Sequence, residues 1–178
     1  MNIILDLDNT LICSINKNQY NNIPPEILYN YNYDTKNPFG LYMFERPNLK
    51  FFLNSIKNQG IITVWTAATE DYARYVIETF FPSNMRIHNL FSRDFTTKVH
   101  KQTNLLKPLS YLSVYNYNLK RTIIVDDLPD VLDANPYNCI PVKPFNYESI
   151  LNNDYTEDNE LIKTLNKIKN INYNLQRF

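Results

Sequence analysis

Three short runs dominate the hydrophobic pattern of the chain: NIILDL at 2–7, IITVWT at 61–66 and RTIIVDD at 121–127. Each is rich in β-branched and other apolar residues, does not alternate with polar ones, and stops at a polar cluster. Continuous apolarity over so few residues predicts strands covered on both faces, as in a parallel sheet. Helical patterns lie between them. Pro47 suits a first helical position and Gly60 the turn into the next strand, bracketing a helix around NLKFFLNSIKN. Thr69 is placed to cap EDYARYVIETFF, which has an acidic first turn and is followed by Pro82. A further helix is predicted around LLKPLSYLSVYN, interrupted by Pro108, and a last one from Thr156 to Ile171 with Leu161, Leu165 and Ile168 on one face. Strand and helix signals alternate, so the pattern predicts an α/β fold with right-handed crossovers.

The stretch 13–45 breaks that alternation. It is rich in Asn, Tyr and Pro, and GLYMFER at 40–46 is its one clear strand-like piece. A connection this long without regular elements of its own is expected to be a functional flap or a disordered segment, and its place directly after the first strand favours the flap. Tyr29, Tyr31 and Tyr33 recur with a period of two, which suits a half-exposed strand face better than a peptide-binding platform. With no internal repeat, 178 residues are expected to form a single domain, 1–178, around one core.

Composition narrows the function classes. Eighteen basic and 18 acidic residues balance to a formal net charge of zero, so the overall charge favours neither a nucleic acid nor a membrane surface as the main partner. Cys13 and Cys139 are far apart, without CxxC spacing or clustered histidines, which argues against a zinc site or a disulfide framework and suits a reducing compartment. His88 and His100 lack a paired partner and read as surface or core residues. No basic leader precedes an apolar segment, and no apolar run approaches the roughly 20 residues that span a bilayer, so an intracellular location, cytoplasm or nucleus, is expected. Two glycines against 14 tyrosines, with abundant Asn, Ile and Lys, fit an AT-rich viral or microbial genome.

The chemistry gathers where the strands end. In open α/β sheets the ligand crevice lies beyond the carboxyl ends of the strands, at a topological switch point. Those ends carry Asp6 and Asp8, Thr66, and Asp126 with Asp127. Converging carboxylates raise one another's pKa unless a cation sits among them, and hard oxygen donors of this kind suit Mg²⁺. Residues two apart on an extended strand face the same side, so Asp6 and Asp8 can address one reacting atom. One carboxylate could attack phosphorus to give an aspartyl-phosphate while the other moves the protons. The Thr66 hydroxyl can bind a phosphoryl oxygen, and Lys107 is the cation best placed to neutralise developing charge. A solvated strand cap would explain DLD by itself, but not a second acidic pair after a second apolar run.

These motifs resemble the haloacid dehalogenase (HAD) superfamily, whose DxDxT signature stands here as DLDNT at 6–10. The resemblance is closest to the FCP/SCP type, the NLI-interacting-factor-like phosphatases that act on the RNA polymerase II C-terminal domain (CTD) and on other proteins. It runs in order through DLDNTLI, ERPNLKFFL, VWTAATEDYA, LFSRD, LLKPLSYL, KRTIIVDDLPDV and NCIPVKPF, covering about residues 2–170. It implies a three-layer, Rossmann-like sandwich with a central parallel sheet and a flap inserted after the first strand. It also implies a Mg²⁺-dependent phosphoserine/phosphothreonine phosphatase, with Asp6 as nucleophile and Asp8 as acid/base. Thr66 and Lys107 complete the catalytic set. The metal would be held by Asp6, Asp8 through its backbone carbonyl, and Asp127, with Asp126, also within the acidic set, pairing with Lys107; close relatives often have Asp-Asn where this chain has Asp126-Asp127. Substrate contacts are expected from Thr10, Tyr72, which falls at an aromatic position near the peptide groove, and Arg93. The basic residue near phosphate stays open among Arg93, Lys98, His100 and Lys101. The implied partner is a phosphorylated peptide or protein, the polymerase II tail among the candidates, with no stable nucleic acid and no membrane. A nucleotide or nucleic-acid phosphate end, and a non-catalytic peptide-binding module, are the alternative readings.

Overall fold

The computed structural model describes residues 1–175. Its centre is a five-stranded parallel sheet formed by β1 (Asn2–Leu5), β5 (Ile61–Trp65), β6 (Ile87–Phe91), β7 (Thr122–Asp126) and β8 (Cys139–Pro141), in the order β6-β5-β1-β7-β8. β1 is central and in register with both neighbours, Ile3 opposite Ile62 on one side and Ile123 on the other. The chain builds one half of the sheet outward from β1 through β5 and β6, then crosses to the other side for β7 and β8. The order therefore reverses at β1, and the crevice lies beyond that point.

Two cores explain why β1, β5 and β7 are buried at almost every successive position. Ile3, Leu5, Val64, Ile123 and Val125 pack into a core with the helices α3 (Leu49–Ile56), α4 (Glu70–Phe80) and α8 (Glu160–Leu175). Ile4, Trp65 and Ile124 point to the opposite face, against α5 (Arg93–Thr103), a 3-10 segment at Leu109–Tyr115 and α6 (Pro129–Ala134). Successive side chains of one strand thus alternate between two dry layers, the geometry expected of a three-layer sandwich. Gly60 is required at the start of β5: a Cβ there would sit 2.3 Å from the Met1 carbonyl oxygen, which accepts the Ile61 amide. Among the described residues, no helix is long and apolar enough to cross a membrane.

The insert is more regular than its composition predicts. β2 (Ile12–Ile15), β3 (Tyr33–Asp34) and β4 (Tyr42–Glu45) form an antiparallel sheet in the order β2-β4-β3, with α1 (Lys17–Asn21) and α2 (Pro25–Leu28) between β2 and β3. It has its own core of Cys13, Ile15, Ile23, Tyr31 and Phe44, closed by Phe145 and Ile150 from the segment after β8, where α7 (Tyr147–Leu151) lies. The three tyrosines do not share a strand face. Tyr29 caps α2 and is 88% exposed, Tyr31 is buried, and Tyr33 alone of the three lies in a strand.

Three other expectations shift. α3 begins at Leu49 behind a left-handed Asn48, so Pro47 lies just outside the helix. The segment around Pro108 forms the 3-10 turn of Leu109–Tyr115, because Pro108 cannot donate an amide to an α-helical ladder. α5 was not anticipated: among its residues only Thr96 and Val99 are buried, too few to give a helical period. Thr69 does precede α4, although its side chain makes no cap hydrogen bond.

Candidate active site

Asp6 follows β1 directly, and the chain then turns sharply. Asn9 adopts a left-handed backbone (φ 61°), a conformation asparagine tolerates, its amide donates to the Ile12 carbonyl at 2.7 Å, and its own carbonyl accepts the Phe145 amide at 2.7 Å. That turn puts Asp6 and Asp8 at the mouth of a cavity of about 500 Å³. Thr66, Lys107, Asp127 and Arg93 share its lining, with Phe39 and Leu41 of the insert forming an apolar wall. Six segments that are remote in sequence therefore contribute to one crevice at the carboxyl edge of the sheet, as expected from the strand ends.

A buried ion cluster organises the floor. The Lys107 ammonium lies 2.5 Å from Asp6 Oδ1 and 2.7 Å from Asp126 Oδ2, and all three groups are almost completely shielded from water. Burial by itself would lower the lysine pKa, but the two carboxylates outweigh it and raise it, so Lys107 stays a cation. Lys107 has a positive φ of 46°, a conformation that costs a non-glycine residue on the order of 1 kcal/mol. Asn135 holds that turn: its side-chain amide donates to the Lys107 carbonyl at 3.0 Å, and its oxygen accepts the Leu109 amide at 2.7 Å.

The acidic residues divide by their partners. Asp126 has both oxygens committed, Oδ2 to Lys107 and Oδ1 to the Leu128 amide at 3.0 Å. Asp127 is half-buried and lines the crevice, with one oxygen accepting the Thr10 hydroxyl at 3.0 Å. Its carboxyl is pushed up by burial and by the charge of Asp6. One oxygen each of Asp6, Asp126 and Asp127 lies within 4.8 Å of the others, a hard-oxygen set of the kind that suits a small divalent cation. Since Asp126 is saturated by its other partners, Asp6 and Asp127 are the better side-chain ligands.

Asp8 lies in different company. Its Oδ1 accepts a short hydrogen bond from the Tyr72 hydroxyl, and that hydroxyl lies 2.7 Å from Ser14 Oγ of the insert. Burial, and more weakly the charge of Asp6, push the Asp8 carboxyl up to about 6, opposed by the Tyr72 hydrogen bond. Burial and the neighbouring Asp8 carboxylate raise the Tyr72 pKa, so the phenol remains a neutral donor.

The remaining expected site residues fall into place as follows. Thr66 is buried at the end of β5, its hydroxyl accepting the Ala68 amide at 3.0 Å and still bordering the crevice. Thr10 is corrected: it is fully buried behind Asp127 and is not part of the cavity wall, so it supports a carboxylate instead of meeting a substrate. Of Arg93, Lys98, His100 and Lys101, Arg93 is the one that lines the crevice, its Nε donating to the Ala67 carbonyl at 3.0 Å. The other three project from later turns of α5. Tyr72 lines the crevice as expected, but its link to Asp8 was not read from the sequence, nor were the roles of Ser14 and Asn135. No local pattern marks them, because each acts on a residue tens of positions away.

A model of the NLI interacting factor-like phosphatase family matches residues 1–177. The CTD phosphatase-like protein of Invertebrate iridescent virus 6 is 32% identical over 173 residues, covering 91% of this chain and 93% of the viral protein. CTD nuclear envelope phosphatase 1 of Xenopus tropicalis is 27% identical over 146 residues, covering 79% of this chain and 57% of its own length. The fission yeast RNA polymerase II CTD phosphatase Fcp1, solved with beryllium fluoride bound, superimposes with a TM-score of 0.70 at 20% identity. That match covers 97% of this chain and 62% of the yeast chain, and it is a likeness of fold. The α/β sandwich with its inserted flap is thus the HAD-like architecture that the motifs imply.

Proposed function

The chain belongs to the NLI interacting factor-like phosphatase family, and we propose that it hydrolyses phosphoserine or phosphothreonine in peptides or proteins through an aspartyl-phosphate on Asp6. The observation that carries this reading is the division of labour at the crevice. Asp6 has one oxygen on Lys107 at 2.5 Å, whereas Asp8, two residues on, is pushed up to about 6 and faces the same cavity. A carboxylate beside a fixed cation suits attack on phosphorus, and a carboxyl that titrates near neutrality suits proton transfer in both directions.

The steps balance on these residues. The Asp6 oxygen not engaged by Lys107 forms a bond to phosphorus as the bond to the serine or threonine oxygen breaks, and protonated Asp8 gives its proton to that leaving oxygen. Water then attacks the phosphorus of the aspartyl-phosphate and loses its proton to the Asp8 carboxylate, freeing inorganic phosphate and restoring Asp6. Lys107 and the Thr66 hydroxyl bind phosphoryl oxygens, where charge builds in both steps. Asp6, Asp127 and the Asp8 backbone carbonyl would hold Mg²⁺, which when bound supplies charge neutralisation and orientation for the phosphoryl group.

Hydrolysis of p-nitrophenyl phosphate tests the reading. Asp6→Asn and Asp8→Asn are each expected to abolish it, as is EDTA, with recovery on adding Mg²⁺. Full turnover by Asp6→Asn would sink the covalent route, and activity on phosphopeptides compared with a 3′-phosphorylated oligonucleotide decides the substrate class.

A further inference from the structure

A second groove begins where the crevice ends. Arg93 lines both the crevice and a cavity of about 430 Å³ on the outer surface of α5, shared with Asp94, Thr97, Lys98, Lys101 and Gln102. Three cations thus face one carboxylate. Some surface cations elsewhere have a carboxylate partner: Arg74 sits 2.6 Å from Glu70, and Lys163 sits 2.7 Å from Glu160. Among the described residues, no ion pair involves Arg93, Lys98 or Lys101, although Asp94 lies in the same groove. This positive charge is exposed, has no carboxylate partner, and is continuous with the site through Arg93, whose Nε is held by the Ala67 carbonyl. The helix macrodipole accounts for Lys101 near the last turn but not for Arg93 in the first turn, where it opposes a cation.

We propose that α5 carries a second anion site, at Lys98 and Lys101, which receives another phosphate of the same peptide whose reacting phosphate lies at Asp6. This rests on the phosphopeptide reading above and specifies which peptides are favoured. At about 1.5 Å rise per residue, Lys98 and Lys101 stand about 7.5 and 12 Å along α5 from Arg93. An extended peptide advances about 3.3 Å per residue, so, counted from Arg93 at the edge of the crevice, the second phosphate falls about two to four residues further along. A phosphate of nearly two negative charges suits a pair of ammonium groups better than a single carboxylate does. No aromatic side chain lines the groove, so nothing in it would stack on a base, which favours a peptide over a nucleic acid.

The test compares the wild-type protein with the double variant Lys98→Ala/Lys101→Ala. The substrates are a monophosphorylated peptide, two peptides carrying a second phosphoserine three residues to either side, the same pair with glutamate in that place, and a 3′-phosphorylated oligonucleotide. For the wild type, one of the two spacings is expected to lower KM about tenfold at unchanged kcat, from two exposed charge contacts each contributing about a factor of two to five. The double variant should lose that gain and keep its rate on p-nitrophenyl phosphate. Equal gain in the variant, no gain in the wild type, a glutamate peptide matching the phosphoserine one, or preference for the oligonucleotide would each overturn the site. Asp6-dependent p-nitrophenyl phosphate turnover with no gain would sink the α5 site and leave the phosphatase reading intact. If there is no turnover, the phosphatase reading fails, and fluorescence anisotropy of labelled peptides decides the α5 site: about tenfold tighter binding of a doubly phosphorylated peptide, lost in the variant, upholds it, and equal binding overturns it.

Discussion

The parallel sheet and the insert sheet meet at two aspartates and hold them by opposite means. The five-stranded sheet is covered on both faces by mixed aliphatic and aromatic layers and ends in full charges, Asp6 and Asp126, locked by one buried ammonium. The insert is covered by aromatic rings that retain their hydroxyls: Tyr20 stacks on Tyr42 at 3.9 Å and shares a hydrogen bond with Tyr33, which itself stacks on Phe44 at 4.8 Å. From that side Ser14 meets the hydroxyl of Tyr72 on α4, and that neutral hydroxyl donates to Asp8. Buried charge pairs are costly to break because the remaining charge has no water to turn to, whereas a neutral hydrogen bond exchanges for another at small net cost. Asp6 is thus held by a buried ion pair that is costly to break, and Asp8 by contacts that can be altered one at a time.

The largest expected effect breaks the first of these regions. Lys107→Met leaves Asp6 and Asp126 buried without their cation, which should cost about 3–5 kcal/mol in urea unfolding and abolish p-nitrophenyl phosphate turnover. Tyr72→Phe breaks the link through which the insert's Ser14 reaches Asp8 and should cost about 1–2 kcal/mol, because the Asp8 carboxyl loses a donor in a buried setting. It also removes the interaction that holds the Asp8 pKa down, so carbon-13 NMR should show Asp8 titrating at higher pH in the variant than in the wild type. The sign for stability follows. The carboxyl is raised in the folded state, so the native protein binds more protons than the unfolded chain between about pH 4 and pH 6. Stability contributed by Asp8 therefore falls as pH rises through that window, and Asp8→Asn should flatten the slope in denaturation measured at each pH. The smallest effect tests the insert surface: Tyr29→Ser, at a side chain 88% exposed, should change stability by no more than about 0.5 kcal/mol.

Much of the parallel sheet was readable because its signals are local. NIILDL, IITVWT and RTIIVDD had to be strands with two dry faces, and the observed β1, β5 and β7 differ only in where they end. The insert was not readable in the same way. Its strands are two to four residues long, and Tyr31 is buried through rings supplied by Phe44, Phe145 and Tyr155. Period-two spacing of tyrosines therefore carried no information about a strand face. α5 escaped notice for a related reason, since a helix that buries only Thr96 and Val99 has almost no apolar stripe to detect.

The sequence by itself determined which groups could do chemistry. The order of the DxDxT, threonine, lysine and double-aspartate motifs, with strand geometry aiming Asp6 and Asp8 to one side, was enough to assemble the candidate crevice. The tertiary structure alone decided what each aspartate leans on. Lys107 reaches Asp6 across 101 residues and Tyr72 reaches Asp8 across 64, with Ser14 of the insert behind it. Local sequence encodes backbone conformation and side-chain direction, but the partner of a buried charge is chosen by which distant elements pack over it, and that choice exists only once the chain has folded.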